Sequence, residues 1–247
     1  MLELDKFSIN TTKTPTRVSV IIPAYNEATS KERRVAFSDH LSDWGKIVDV
    51  NPDLRVVIVN DGSSDETTKI VDEYGLPYIS HLDGKNKGKG ASLTLGLKET
   101  SGIRAFTDAD GSYSPSFVLK LIQNIEDGND IAVATRIDKE SHESLSRRIG
   151  HTGLASLLEL ITPTGVNDVQ GGAKALSEEA ANALLPFLNI NGYAWDRQLL
   201  YHAARMKLYV NELVVPTESF HAVGNSHIRI ASDGIKMVLA AIKMRYN

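Results

Sequence analysis

Four short, nearly continuous apolar runs constrain this chain most: RVSVIIPA (17–24), LRVVIVND (54–61), IRAFTDAD (103–110) and DIAVATR (130–136). Rich in Val and Ile, they read as strands buried on both faces, as in a parallel sheet. Helix-compatible segments lie between them, including 64–75 and 88–102. Ser64 is the expected N-cap of the first, and Gly75 its stop. This alternation predicts an α/β fold with a mainly parallel sheet. Further along, 144–161 reads as an amphipathic helix, with Arg147 and Arg148 near its start. Residues 168–177 read as a glycine pair leading into a strand and turn, and 177–188 and 195–206 as helices. Strand character returns at 207–217, and the tail 232–247 reads as an amphipathic helix with Ser232 as N-cap.

In open α/β sheets, ligands bind beyond the carboxyl ends of the strands. Three of the apolar runs end in polar turns: Tyr25-Asn26-Glu27, Asp61-Gly62-Ser63 and Asp108-Ala109-Asp110. Asp108 and Asp110 repel each other unless something neutralises them. A hard divalent cation shared with phosphate oxygens does so; an acidic turn of Asp, Gly, Ser and Pro is the bland alternative. Three such turns at equivalent positions favour a binding edge.

Other segments are suggestive only together. NKGKGAS (86–92) lacks the third glycine of a dinucleotide fingerprint, because Leu93 stands there, and no P-loop pattern occurs. It remains a glycine-rich helix entry suited to an anion, with Lys87 and Lys89 nearby, or else a solvated turn. In NDVQGGAK (167–174), Asp168 and Gln170 adjoin two glycines that permit close backbone approach. Arg136, Arg147 and Arg148 are candidates for gripping an anionic acceptor. No histidine has HExxH spacing.

Composition narrows the class. A net charge of -4 argues against a general nucleic-acid binder. Without cysteine there are no disulfides or thiolate zinc sites, which fits a reducing cytoplasm. The first 17 residues show no apolar core of signal-peptide length, and no apolar stretch reaches the length of a spanning helix, so a soluble or membrane-peripheral protein is expected.

Taken in order, VSVIIPAYNE, VVIVNDGSSDET, NKGKGASLTLGL, FTDADGSYSP, VATR, NDVQGGAKALSEEAA, GYAWDRQLLYHAAR and NSHIRIASDGIKMVLAAIKMR span residues 18–245. This ordered set resembles the family 2 glycosyltransferases of GT-A fold, in their dolichyl- and polyprenyl-phosphate branch. The resemblance implies one GT-A-type domain over 17–247, preceded by an extension at 1–16. Its nucleotide-sugar half would be 17–110. Its acceptor half would be 111–247, ending in the amphipathic helix. It implies that Pro23, Ala24, Tyr25, Glu27, Asp61, Asn86, Lys89, Asp108 and Ala109 hold the nucleotide. Asp108 and Asp110 would bind Mg²⁺ or Mn²⁺. Asp168, Gln170 and Asp196 would serve the chemistry, while Arg136, Arg147 and Trp195 would meet the acceptor. The chain departs from the pattern at Ser112, where mannosyl relatives often carry Gln, and at His227, where relatives often have Lys. The chain is expected to lack the membrane anchors of some relatives.

The implied activity is inverting transfer of a hexose, glucose by resemblance, from UDP-glucose to a polyprenyl or dolichyl phosphate. An anionic phosphate needs orientation more than a base. A hydroxyl acceptor would need a positioned carboxylate, for which Asp168 and Asp196 stand unranked. Two rivals stay open: a soluble transferase acting on a glycan hydroxyl, and a sugar-nucleotide-binding protein without turnover. A homodimer and contact of the basic tail helix with a membrane surface are further expectations, the latter set against simple docking of that helix on the sheet.

Overall fold

The computed structural model describes residues 18–136, 145–216 and 230–246, with side chains at 18–136, 153–216 and 234–246. Within these residues one seven-stranded sheet forms the centre, in the order β3-β2-β1-β4-β6-β5-β7. Its strands are β1 (Val18–Ala24), β2 (Leu54–Asn60), β3 (Tyr78–Ser80), β4 (Ile103–Phe106), β5 (Ile131–Thr135), β6 (Lys174–Leu176) and β7 (Val210–Val214). β1 pairs in parallel with both β2 and β4, Val18 facing Leu54 and Ile103. Only β6 runs antiparallel, between β4 and β5. The mainly parallel α/β sheet expected from the sequence is what forms.

Side chains alternate across a strand, so β1 feeds two cores. Val18, Val20 and Ile22 pack beneath α1 (Lys31–Val50), α2 (Thr67–Glu73) and α4 (Pro115–Glu126), around Phe37, Trp44 and Phe117. Ile21 joins the opposite face, under α3 (Lys89–Glu99), α6 (Glu178–Leu184) and α7 (Trp195–Arg205), around Leu93, Phe106, Trp195 and Leu199. A third cluster joins α5 (Leu145–Ile161), α7 and α8 (Ile230–Tyr246) through Leu158, Tyr201, Met237, Ala241 and Met244.

Local capping explains several boundaries. Ser30, Ser114 and Ser177 cap α1, α4 and α6 by accepting the backbone N–H of Arg33, Phe117 and Ala180. Two expected caps differ. α2 starts at Thr67, and Asp65 rather than Ser64 accepts its first N–H at 3.0 Å. α8 starts at Ile230, which leaves Ser232 inside the helix. α1, α4 and β3 were not anticipated. The buried Phe37, Leu41, Trp44 and Ile47 of α1 do follow a helical period, but charged residues dilute it. β3 is only three residues long and lies at the sheet edge.

Candidate active site

The polar turns after β1 and β2 are laced to each other. The Asn26 N–H donates to Ser63 Oγ at 3.0 Å, and the Ser64 N–H donates to Asn26 Oδ1 at 2.8 Å. Glu27 and Ala28 donate their backbone N–H groups to Thr67 Oγ1 and Asp65 Oδ2. Tyr25 is left 44% exposed at the mouth, an aromatic face open to a base. Asp61 is buried and gathers the next loop: its carboxylate accepts from Asn86 Nδ2 (3.0 Å), the Lys87 N–H (2.8 Å) and the Gly88 N–H (2.9 Å). The loop can close this far because residue 62 is glycine. A Cβ there would lie 2.6 Å from the Asn86 nitrogen, and its φ of 73° is left-handed.

α3 opens directly from this loop, and Lys89 in its first turn donates to Asp108 Oδ1. Burial pulls the Lys89 ammonium down, but the charges of Asp108 and Asp196 outweigh it and hold it well above the usual lysine range. Asp110, one residue beyond Ala109, accepts the Ser112 N–H at 2.9 Å. Burial, followed by the charge of Asp108, raises its carboxyl. Burial also raises Glu27, against the pull of Arg33 at 2.8 Å. These carboxylates fit a hard cation on direct grounds. Asp108 already takes a cationic ammonium, and Gly172 leaves room beside it, since a Cβ there would come within 2.1 Å of Asp108 Oδ2. Among the described residues no third His, Asp or Glu completes a protein-only ligand set, so phosphate oxygens or water would have to finish the coordination of an ion here.

The turn of residues 168–172, which leads into β6 beside the end of β4, reaches the same place. Asp168 accepts from Arg136 at the end of β5 through Nε (2.7 Å), Nη2 (3.0 Å) and the backbone N–H (3.2 Å). Burial alone would raise the Asp168 carboxyl, but this bidentate guanidinium overcomes it and holds it below the ordinary value. The Gly172 N–H donates to Tyr113 Oη at 2.9 Å, and burial pushes that phenol up to about 12. Lys174, fully buried on β6, donates to the Gly171 carbonyl and to Asp196 Oδ1, both at 2.6 Å. Asp108 and the turn of residues 168–172 thus meet at Gly172.

The expected site residues fall into groups. Pro23, Ala24, Tyr25, Glu27, Asp61, Asn86, Lys89, Asp108, Ala109 and Asp110 all lie at the ends of β1, β2 and β4 or on the loop Asp61 gathers. Gln170 is half-buried, with its amide 3.7 Å from Met237 Sδ of α8. Asp196 is buried, with Oδ1 bonded to Lys174, while Asp168 lies nearer the rim. Trp195 requires a correction as an acceptor contact. Its ring is buried edge-on to Phe106 with Nε1–H donated to Thr94 Oγ1 at 2.8 Å, so it offers no face to a ligand. Arg147 lies on α5, but its side chain and all of His227 are outside the described residues. Sequence reading assigned no role to Tyr113, Lys174 or His40, and gave Gly172 only a close backbone approach, without its partner. Tyr113 and Gly172 stood inside quoted motifs, yet their contact joins segments 59 residues apart. His40 of α1 is buried, accepts Trp44 Nε1–H at 3.1 Å and lies against Gly111, so it supports the acidic turn from beneath.

Similarity to known proteins agrees with this geometry. Glycosyl transferase family 2 matches residues 19–185, more than half of the chain. The chain belongs to that family. This glycosyltransferase is 31% identical over 220 residues to the human dolichyl-phosphate beta-glucosyltransferase, covering 81% of this chain and 67% of that protein. It is 28% identical to the UDP-N-acetylglucosamine–dolichyl-phosphate N-acetylglucosaminyltransferase of Methanococcus voltae, over 81% of this chain and 85% of that one. Its GT-A fold aligns with glucosyl-3-phosphoglycerate synthase of Mycobacterium tuberculosis, solved with Mn²⁺, UDP and glucosyl-3-phosphoglycerate. The TM-score is 0.68 and the identity 23%, over 93% of this chain and 80% of that one. No helix among the described residues is long and apolar enough to cross a membrane.

Proposed function

We propose that this glycosyltransferase moves glucose from UDP-glucose to a polyprenyl or dolichyl phosphate with inversion, assisted by Mg²⁺ or Mn²⁺. The names of its dolichyl-phosphate-using relatives support the acceptor class. In this reading residues 17–110 form the donor half and 111–247 the acceptor half. Tyr25 faces the base, and the Asn86–Lys89 entry to α3 faces the diphosphate. Asp108 and Asp110 hold the ion, whose chemistry when bound is to neutralise charge on the leaving diphosphate. Lys89 leaves Asp108 for the diphosphate when the donor arrives.

The observation that carries a phosphate over a hydroxyl acceptor is the Arg136–Asp168 pair. Its carboxylate is saturated by a guanidinium and held below the ordinary carboxylate value, which makes it a poor base. An ionised phosphate oxygen needs no base to attack the anomeric carbon. It needs a cation to orient it, and Arg136, at the exposed end of the pair, supplies a two-pronged donor. Arg147, Gln170 and the Gly171–Gly172 backbone complete the acceptor side, with Lys174 and Asp196 holding the turn in place.

The test is transfer of label from UDP-[¹⁴C]glucose in the presence of Mn²⁺ or Mg²⁺, with polyprenyl phosphate or with soluble glycan hydroxyls as acceptor. Label that reaches the organic phase only with the lipid phosphate supports the reading. Label that reaches only soluble glycan contradicts it.

A further inference from the structure

We infer that α8 is a bilayer-docking helix, whose outer face seats on anionic lipid. Its inner face is used by the fold, with Met237, Ala241 and Met244 buried against α5 and α7. The outer face is apolar as well. Ile235, Leu239, Ile242 and Tyr246 recur at the spacing of a single helical stripe and are 42% to 79% exposed. A solvated helix face would carry polar residues there; a contiguous apolar face in water marks a contact surface.

The charges around the stripe favour a bilayer. At 3.6 residues per turn, Lys236 and Lys243 border the stripe on one side and Arg245 borders it on the other. From Gly234 to Tyr246 there is no acidic residue. Apolar side chains can enter the acyl boundary while long basic ones reach back to lipid phosphates. Arg245 also donates to the carbonyls of Leu160 (3.2 Å) and Ile161 (2.8 Å), which fixes the exposed Leu160 beside the last turn of α8 and widens the apolar surface.

The helix also stands in a useful place. Its inner Met237 touches Gln170 of the acceptor-side turn. One helix, about 10 Å across, therefore separates that turn from the surface a bilayer would occupy. A phosphate carried at the headgroup level has a short path to the site. That purpose rests on the lipid-phosphate reading, whereas the binding itself rests on α8.

The chain has no cysteine, so Leu239→Cys gives a unique attachment point for an environment-sensitive dye, with Asp43→Cys on α1 as control. The dye at position 239 is expected to shift to the blue with phosphatidylcholine vesicles containing phosphatidylglycerol, and the dye at position 43 to stay unchanged. Leu239→Glu in the otherwise unaltered chain should lower co-flotation roughly tenfold or more, with the same thermal melting curve. Transfer to a short-chain, water-soluble polyprenyl phosphate is measured in parallel without vesicles. Absent flotation with intact soluble transfer overturns the inference and leaves the proposed function standing. Flotation without transfer to any lipid phosphate upholds the inference and removes that function. A blue shift at position 239 that needs protein concentration rather than vesicles identifies a self-association face and also overturns the inference.

Discussion

The two halves of the site are held together by different forces. On the proposed donor side, the turns after β1 and β2 and the loop before α3 are tied by many hydrogen bonds from backbone N–H groups to Asn, Ser, Thr and Asp side chains. On the proposed acceptor side, a few ion pairs carry the structure: Arg136–Asp168 at the rim and Lys174–Asp196 in the interior. Many small bonds share a load, so the loss of one is tolerated. A buried charge pair is all or nothing, because removing one partner strands the other. The donor edge is thus a preformed cradle, while the acceptor edge holds one buried pair as a strut and one exposed pair that a ligand can reopen.

This contrast predicts a ranking of effects. Lys174→Met should cost about 3–5 kcal/mol in denaturant unfolding, by leaving Asp196 buried and unpaired. Adding Asp196→Leu should restore most of the loss, and a failure to do so would mean that Lys174 acts mainly through the Gly171 carbonyl. Asp110→Asn should leave folding intact and lower transfer on the order of 10²–10³-fold, with a parallel loss of Mn²⁺ binding read by titration calorimetry. Between these regions lies His40, whose imidazole burial draws down to about 4 from an ordinary 6.5. The unfolded chain therefore binds a proton that the folded one refuses. Stability on this account is full above pH 6.5 and falls by about 3 kcal/mol as the pH drops to about 4. Unfolding curves across that window should show the fall, and His40→Gln should flatten it. The smallest effect belongs to the laced turns: Ser63→Ala should cost only about 1 kcal/mol, measurable as a modest shift in the melting midpoint. A collapse of the fold in that variant would break the comparison.

The same contrast explains what the sequence revealed. β1, β2, β4 and β5 were legible because strands buried on both faces are written as unbroken Val/Ile runs. The clustering of the polar turns was legible because these residues follow those runs directly. α1 was hidden, since its apolar positions are interleaved with charge and only the packing of Phe37, Trp44 and Ile47 reveals them. Partner choice was hidden as well. Lys89 with Asp108, Lys174 with Asp196 and Tyr113 with Gly172 are separated by 19, 22 and 59 residues, distances at which no local pattern specifies a contact. Trp195 shows the converse limit: an aromatic residue before a helix reads equally well as a ligand platform or as core, and tertiary burial decides for the core.

The account turns on Arg136 as the group that an acceptor phosphate takes over from Asp168. The direct measurement is the acceptor dependence of transfer to a short-chain polyprenyl phosphate by the wild-type chain and by Arg136→Met, with UDP affinity determined alongside. A fall in kcat/KM for the acceptor of roughly tenfold or more, with UDP binding unchanged, is the predicted result. Unaltered acceptor kinetics in Arg136→Met would contradict it.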